Sequence, residues 1–182
     1  MGFDNKIVNK EIIYRGKIFD LSKVRFINED NTEIINDIIN HNGSVCMLCV
    51  NNYDEVCIVK QYRASIDKYL YELPAGLIEA NEDEIKTGIR EIREECGIKA
   101  LNVKVITRYY PSCGYSNEVI TILYCDDFIY DNNILSTEEN ITVKWIKINE
   151  LVEKINRDDK DYIFDSKLLI GILYLKNLQN NR

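Results

Sequence analysis

The chain has 182 residues, which suits a single domain at roughly 150 residues per domain. Hydrophobic residues make up 46% of it and charged residues 29%, an ordinary globular composition that excludes a disordered chain. No apolar run approaches the roughly 18 residues of a membrane span, and the net charge of −7 argues against a nucleic-acid partner. An anionic substrate would need a divalent cation to bridge it to so acidic a protein.

The first forty residues predict two or three β-strands around a turn at residues 28–31, with little core density. Residues 44–51 and 56–63 then predict a hairpin of buried strands around a turn at 51–55. Pro74 and Gly76 interrupt the pattern that follows. A helix is expected from about Asp83 to Cys96, ended by Gly97 as a C-terminal glycine.

The second half predicts further strands at residues 100–110, 119–130 and 141–148. Polar loops separate them, and amphipathic helices are expected at residues 149–158 and 165–178. Strands and helices therefore alternate irregularly, with hairpins as well as crossovers. This arrangement predicts an α+β fold in which helices pack on a mixed sheet.

The six cysteines predict reduced thiols, because the N-terminus shows no apolar signal core and a cytoplasmic location is expected. Cys46 and Cys49 form a C-x-x-C pair, but they lie in a predicted strand, where a spacing of three puts them on opposite faces. We interpret them as small buried hydrophobic residues, in preference to a structural zinc site.

The helix expected before Gly97 carries two distinct arcs of side chains. Ile85, Ile89, Ile92 and Cys96 fall in one narrow stripe, which predicts the core face. A second arc carries three carboxylates, those of Glu91, Glu94 and Glu95. Such a cluster suits hard cations such as Mg²⁺ or Mn²⁺, which prefer oxygen ligands. Spacing alone leaves open the alternative of a plain acidic helix face.

The order of residues in this stretch is more specific than their spacing. From Gly76 to Ile98 the chain fits the pattern G-x5-E-x7-R-E-U-x-E-E-x-G-U at every fixed position, with U aliphatic. It resembles the Nudix box and is identified as a Nudix hydrolase. The resemblance implies an α/β/α sandwich whose loop–helix–loop box binds Mg²⁺. It also implies an enzyme that hydrolyses a nucleoside diphosphate linked to another group.

Segments outside the box resemble the ADP-ribose pyrophosphatase subgroup, among them YRGKIFDL, YELPAGLIE and SCGYSNE. This resemblance implies that the backbone carbonyl of Ala75 and the side chains of Glu91 and Glu95 bind metal. It also makes Glu94 a ligand or the support of one. Arg90 would orient the glutamates.

The same resemblance assigns roles to residues beyond this set. Glu82 would bind metal through water or steady the box, and Arg63 would contact the diphosphate of the substrate. The residues that fit the subgroup's substrate loop are Ser112, Gly114 and Glu118.

Two features depart from the subgroup. Cys113 stands where the marker proline precedes Gly114, and no arginine lies near Ile35 or Asn36 to stack on adenine. The aromatic ring of Phe19 is the candidate to take part of that stacking role, with a core position as its alternative. The departures bear on which nucleotide is bound, whereas the box itself is intact.

The reaction that the resemblance implies is attack of water on one phosphorus of a pyrophosphate. Metal neutralises the diphosphate and lowers the pKa of water, and a carboxylate takes the proton. ADP-ribose would give AMP and ribose 5-phosphate. The subgroup's base lies in a loop after the box, which here offers Glu138 and Glu139. If the general base is not in this loop, Glu94 is the next candidate for that role.

Two alternatives to this function remain open at this stage. One is hydrolysis of another nucleotide sugar or of a dinucleotide, and the other is a non-catalytic Nudix-type ligand sensor.

The resemblance also bears on assembly. It implies a homodimer in which residues 1–42 form an N-terminal antiparallel β region that reaches the partner. Residues 43–182 would form the hydrolase domain. No nucleic-acid or membrane partner is expected.

Overall fold

The computed structural model describes residues 5–131, 141–157 and 161–180, with side chains to residue 178. The strands are β1 (Lys6–Arg15), β2 (Asp20–Ile27), β3 (Glu33–Asn40), β4 (Ser44–Cys49), β5 (Glu55–Arg63), β6 (Lys68–Glu72), β7 (Ala75–Leu77), β8 (Ile98–Ala100), β9 (Val103–Tyr109), β10 (Ile120–Cys125), β11 (Phe128–Tyr130) and β12 (Thr142–Lys147). The helices are α1 (Glu84–Cys96), α2 (Ile148–Asn156) and α3 (Ser166–Asn180). Within the described ranges, no helix is both long and apolar enough to cross a membrane.

The chain forms two compact units, the first made of the residues up to Gly43 together with Tyr109–Ile120. Its sheet has the order β1-β2-β3, with antiparallel pairs on both sides of β2. The turn between β2 and β3 is closed by Asn28, whose side-chain oxygen accepts hydrogen bonds from the backbone N–H groups of Asp30 (3.0 Å) and Thr32 (2.9 Å). The predicted strands around this turn are confirmed.

The same unit contains the loop from Pro111 to Glu118. Backbone hydrogen bonds tie it to the end of β3, where Ile39 N–H donates to Tyr115 (2.8 Å) and Ile39 carbonyl accepts from Asn117 (3.2 Å). The side-chain oxygen of Asn117 also accepts from the backbone N–H of His41 at 2.7 Å. The loop is therefore an ordered extension of the small sheet.

The second unit comprises residues 44–108 and 121–182. Its four-stranded sheet has the order β7-β4-β10-β9, and β4 is buried on both faces. Helix α1 covers the face that carries Val45 and Met47, since both lie next to Gly88. Helix α3 covers the opposite face, where Leu48 lies next to Gly171. Helices on both faces of a central sheet confirm the predicted α/β/α arrangement.

A second sheet of this unit has the order β12-β5-β6, and β11 pairs with β8. The inner side of the β12-β5-β6 sheet packs into the core. There Trp145 lies opposite Cys57 in the β12–β5 register and stacks on Phe128, with 5.6 Å between ring centroids. Four of the cysteines, Cys46, Cys49, Cys57 and Cys125, are fully buried. The interpretation of the C-x-x-C pair as buried hydrophobic residues is thereby confirmed.

The expectation of one strand over residues 119–130 is wrong in one respect. Strand β10 ends at Cys125, and β11 begins only at Phe128 and pairs with β8 instead. The break falls at Asp126 and Asp127, where the carbonyl of Asp127 accepts from the backbone N–H of Leu101 at 2.9 Å. Two adjacent aspartates interrupt the apolar run, and the chain changes sheets there.

Candidate active site

Helix α1 begins and ends where its capping residues predict. The side chain of Asp83 accepts from the backbone N–H of Lys86 at 2.9 Å, and Gly97 adopts the left-handed conformation at φ 64°. Within the first turn, Glu84 accepts hydrogen bonds from Arg108 (2.8 and 2.5 Å) and from Thr121 (2.6 Å). The helix that carries the carboxylates is therefore fixed to its unit from its first turn.

The inner face of α1 differs from the predicted stripe. Ile92 is buried, but Ile85 is 40% exposed, and Thr87 and Gly88 take the most buried positions instead. A Cβ atom at Gly88 would lie 2.4 Å from Cδ1 of Leu123, so the helix approaches the sheet too closely there for a larger residue. The buried face of α1 is therefore centred near Gly88, and Ile85 lies at its edge. The spacing of apolar residues alone could not predict this placement.

Arg90 is the centre of the carboxylate cluster. Its Nε and Nη2 atoms both donate to Glu82 at 2.9 Å, and its Nη1 atom donates to Glu91 at 2.7 Å and to Glu94 at 3.3 Å. Nη2 also reaches the carbonyl of Leu77 at 3.3 Å. One guanidinium thus connects three of the four predicted box carboxylates with the backbone of the preceding segment.

Glu82 is held as a carboxylate. The hydrogen bonds from Arg90 are the largest cause of a shift that lowers the pKa of Glu82 from its ordinary value of 4.5 to about 2. The hydroxyl of Thr87 contributes a further hydrogen bond at 2.9 Å. In the same pair, the contact with Glu82 raises the pKa of Arg90 above its ordinary value.

The segment before the helix closes on the cluster through two residues. A Cβ atom at Gly76 would lie 1.9 Å from the carboxyl carbon of Glu91, so this carboxylate occupies the place of a side chain. The backbone N–H of Ala75 donates to Glu95 at 3.1 Å. Both residues belong to β7, which pairs with β4 through Cys46 and Val45. Strand pairing therefore positions the backbone against which the glutamates pack.

The cluster contains many oxygen atoms that could bind a metal ion, but these atoms do not converge on one point. Over the described ranges, no three His, Cys, Asp or Glu side chains are grouped closely enough to hold a metal ion as they stand. Instead Glu91 and Glu94 contact Arg90, and Glu95 contacts Ala75. The donor set is all carboxylate and carbonyl oxygen, which fits a hard divalent cation in its chemistry.

Arg63 lies at the end of β5 in the same unit and is paired with Glu72. Its Nε and Nη2 atoms donate to the two oxygens of Glu72 at 2.6 and 2.7 Å. Glu72 is buried and also accepts from Nζ of Lys167 at 3.0 Å. Sequence reasoning missed these partners. The signal that could have found them is a carboxylate in the buried stretch YLYELPAG, since buried charges are paired.

The residues predicted to meet the rest of the substrate lie in the first unit. Ser112 accepts backbone hydrogen bonds from Tyr115 (3.1 Å) and Ser116 (2.9 Å), and Glu118 N–H donates to the Ser116 hydroxyl at 3.1 Å. A side chain at Gly114 would meet open space, and Phe19 is 39% exposed beside the turn at Gly16. Phe19 therefore does not occupy a core position.

Two other residues of the first unit have defined places. Cys113 is exposed in the loop. His41 is largely buried, and its Nδ1 atom accepts from the backbone N–H of Gly43 at 3.0 Å, which agrees with a structural role. The two candidates for the general base, Glu138 and Glu139, lie outside the described residues.

Comparison with known proteins decides the family. A family model described as the NUDIX domain matches residues 40–166, well over half of the chain. The chain belongs to the Nudix family. The match contains the whole Gly76–Ile98 stretch, so the predicted Nudix enzyme is confirmed at the level of the family.

Several curated proteins align with nearly the whole chain. An ADP-ribose pyrophosphatase of Bacillus subtilis is 26% identical over 175 residues, which cover 95% of this chain and 93% of that protein. A methanol dehydrogenase activator of Bacillus methanolicus is 27% identical over 96% of this chain and 94% of its own length. An ADP-ribose pyrophosphatase of Mycobacterium tuberculosis is 25% identical over 93% and 82%, respectively.

A solved structure shows the same fold as this Nudix chain. The crystal structure of an ADP compounds hydrolase superposes with a TM-score of 0.78 and covers 97% of this chain and 95% of its own, at 16% sequence identity. At that identity the likeness establishes the fold alone, and it agrees with the α+β architecture described above.

Proposed function

We propose that this Nudix enzyme hydrolyses the pyrophosphate bond of a nucleoside diphosphate sugar, with ADP-ribose converted to AMP and ribose 5-phosphate. The observation that carries the proposal is the Arg90 network, in which one guanidinium holds Glu82, Glu91 and Glu94 together. On an acidic helix face with no binding role, each carboxylate would instead be expected to point into solvent without a shared partner. The similarity to two ADP-ribose pyrophosphatases supports the choice of substrate.

Mg²⁺ is the proposed cation, with Mn²⁺ as its substitute. Nudix hydrolases as a family use divalent metals, and the residues that would hold the ion are Glu91, Glu95 and the carbonyl of Ala75. Glu94 and Glu82 would complete or support this set. When bound, the ion supplies positive charge to the diphosphate and makes the attacking water more acidic.

The chain's own residues divide the remaining work. Arg90 positions the glutamates, because its three nitrogens contact Glu82, Glu91 and Glu94. Arg63 binds a diphosphate oxygen through Nη1, the nitrogen that its pair with Glu72 does not use. Two guanidinium groups thereby counter the negative charge of the substrate and the carboxylates.

In the proposed reaction, the oxygen of a water forms a bond to one phosphorus as the bond from that phosphorus to the bridging oxygen breaks. The electron pair of the broken bond leaves with the other phosphate. The water's proton passes to Glu138 or Glu139, which we propose as the general base, with Glu94 as the alternative. Ser112, Gly114, Glu118 and Phe19 are the proposed contacts to the rest of the substrate.

Another nucleotide sugar or a dinucleotide is the second candidate substrate. It is favoured by the exposed Cys113 in place of the subgroup's proline. The absence of an arginine next to Ile35 in sequence favours it less, because Arg25 lies opposite Ile35 in the β2–β3 register. Neither change touches the Arg90 network, so both candidates share one chemistry.

We also propose a homodimer in which residues 1–42 contact the partner. Every residue of β1 is exposed, including the apolar Ile7, Val8, Ile12 and Ile13. An exposed apolar strand of ten residues is a surface that a partner chain would cover.

The test is a substrate panel with purified protein. ADP-ribose, other nucleotide sugars and dinucleotides are incubated with Mg²⁺, and the products are separated by ion-exchange chromatography. We expect AMP and ribose 5-phosphate from ADP-ribose, no turnover in excess EDTA, and recovery with added Mg²⁺ or Mn²⁺. Full activity in EDTA would contradict the metal, and turnover of a different compound alone would favour the second candidate.

A variant pair assigns the activity to this site. Glu91→Gln should abolish most of the turnover, whereas Glu153→Gln, an exposed carboxylate of α2 paired with Arg157, should leave it unchanged. If the two variants behaved alike, the observed hydrolysis would not depend on the α1 cluster.

A further inference from the structure

A row of four alternating charges connects β5 with the start of α3. Arg63 donates to Glu72, Glu72 accepts from Lys167, and Lys167 forms an ion pair with Asp165. Asp165 in turn accepts from the backbone N–H of Leu168 at 3.0 Å and so caps the first turn of the helix. The row starts at the residue proposed to bind the diphosphate and ends on a rigid element.

Glu72 is the least exposed member of this row. Its side chain is 2% exposed, compared with 14% for Lys167 and 41% for Arg63. A buried carboxylate is tolerated only when cations and hydrogen bonds compensate for its lost hydration. Burial raises the pKa of Glu72, but the hydrogen bonds from Arg63 and the charge of Lys167 outweigh it, and the net shift is downward.

The geometry of the pair fixes the plane of the Arg63 guanidinium. Two parallel hydrogen bonds join Nε and Nη2 to the two Glu72 oxygens, an arrangement that defines orientation as well as distance. Oε2 of Glu72 is shared, because it also accepts from Nζ of Lys167. Any rotation of the Glu72 carboxylate away from Lys167 would therefore turn Arg63 with it.

The same segment leads directly into the metal-binding backbone. Glu72 is followed by Leu73 and Pro74, and the carbonyl of Pro74 accepts from the backbone N–H of Met47 at 2.9 Å. This bond fixes the chain on the far side of Glu72, and Lys167 of α3 contacts the carboxylate of Glu72.

We infer that Lys167 is a positioning residue, which acts through Glu72 to orient Arg63 for binding the diphosphate. The inference deepens the proposed function and rests on it, since it takes a diphosphate oxygen as the ligand of Arg63. Lys167 itself contacts no reacting atom in this scheme. Its effect is expected in substrate binding, whereas the chemical step should be nearly unchanged.

The first experiment measures kinetics with ADP-ribose and Mg²⁺. For Lys167→Met we expect KM to rise about tenfold with kcat within about threefold, because a loss of uniform binding raises KM alone. Lys176→Met, a change of the same kind on the same helix, is the matched control and should leave both constants unchanged. In an Arg63→Lys background, Lys167→Met should raise KM no further.

The second experiment does not depend on activity. The Nε–H of Arg63 is recorded in ¹H–¹⁵N spectra of the full chain and assigned by its absence in Arg63→Lys. Its hydrogen bond to Glu72 is short, at 2.6 Å, so the resonance reports directly on that contact. We expect it to shift or broaden in Lys167→Met and to stay in place in Lys176→Met.

The outcomes separate the inference from the function on which it rests. A folded Lys167→Met with an unchanged Arg63 resonance and unchanged KM would overturn the positioning role. An additive effect of Lys167→Met in the Arg63→Lys background would overturn it too, since Lys167 would then act by another route. If no substrate is hydrolysed by the parent chain, the proposed function fails, and the Arg63 resonance alone decides the positioning.

Discussion

The carboxylate of Glu91 lies where a side chain at residue 76 would have to be, 1.9 Å from the Cβ atom that alanine would place there. Gly76→Ala therefore has to displace the Glu91 carboxylate, which contacts Arg90. We expect the Mg²⁺ concentration for half-maximal activity to rise about 10- to 100-fold, as for the loss of a residue that orients metal ligands. A metal titration of the initial rate measures this change.

Gly171→Ala provides the control for this prediction. Its Cβ would lie 3.2 Å from Leu73 and 3.3 Å from Leu48, a tight contact with side chains that can adjust. It should alter stability slightly and leave the Mg²⁺ titration unchanged. An unaltered titration for Gly76→Ala as well would show that Glu91 has room to move without loss.

Arg90→Lys tests the connection among the carboxylates. A lysine ammonium is a single point charge and cannot contact Glu82 in two places while it reaches Glu91 and Glu94. We expect kcat/KM to fall by about 10- to 100-fold, together with a lower melting temperature. Arg157→Lys, on an exposed pair with Glu153, is the control and should change neither quantity.

The start and end of α1 and the family of the chain could be predicted because Asp83, Gly97 and the order of glutamates are all local signals. The contact of Ala75 with Glu95 was not read from the sequence, because it depends on the pairing of β7 with β4. The outward position of Ile85 and the Glu72–Lys167 contact were missed for the same reason. Each depends on packing between segments that are distant in sequence, which periodicity does not report.

The lowered pKa of Glu72 leads us to expect a specific dependence of stability on pH. Its pKa is lower in the folded chain than its ordinary value of 4.5, despite the opposing effect of burial, because Arg63 and Lys167 outweigh it. A carboxylate of this kind stabilises the fold above the ordinary pKa, and that contribution is lost as the pH falls through the lowered one. The stabilisation should therefore be present near neutral pH and disappear below about 4.5.

Glu72→Gln should make this visible in urea unfolding. Near neutral pH we expect a loss of about 3 kcal/mol in the free energy of unfolding, because the variant leaves Arg63 and the largely buried Lys167 without their shared carboxylate. The difference from the parent chain should shrink as the pH falls below the ordinary value. A deficit that stayed constant with pH would argue that Glu72 is not ionised in the folded chain.

The carboxylates should separate into two classes by how their loss is rescued. Glu95→Gln removes a proposed ligand and should lose several orders of magnitude in rate, with part of the loss recovered by raised Mg²⁺. Glu138→Gln or Glu139→Gln should cost about 10²- to 10⁴-fold if that residue is the base. Higher pH should recover part of that loss, whereas added metal should not.

These rate profiles are measured with ADP-ribose over a grid of pH and Mg²⁺ concentration. Near-normal activity of both loop variants at neutral pH would exclude this loop as the source of the base. Glu94→Gln would then be the variant to examine in the same way.

The homodimer is tested at the exposed first strand. Light scattering of the parent chain at micromolar concentration should give twice the mass of one chain, and Ile7→Asp with Ile13→Asp should reduce it. Asn9→Asp adds a charge to the same exposed strand without removing an apolar side chain, and it should leave the mass unchanged. A fully active parent chain with the mass of one copy would contradict the proposal.

The two cations of Glu72 reach it over very different lengths of chain. Arg63 is nine residues away in the β5–β6 hairpin, whereas Lys167 is 95 residues away. The entropy lost on closing a loop grows with its length, so we expect the hairpin contact to form before the contact over 95 residues. On a ribosome, Glu72 would therefore meet Arg63 long before Lys167 has been synthesised. On the proposed role of Lys167, Arg63 would reach its final orientation among the last events in the folding of the chain.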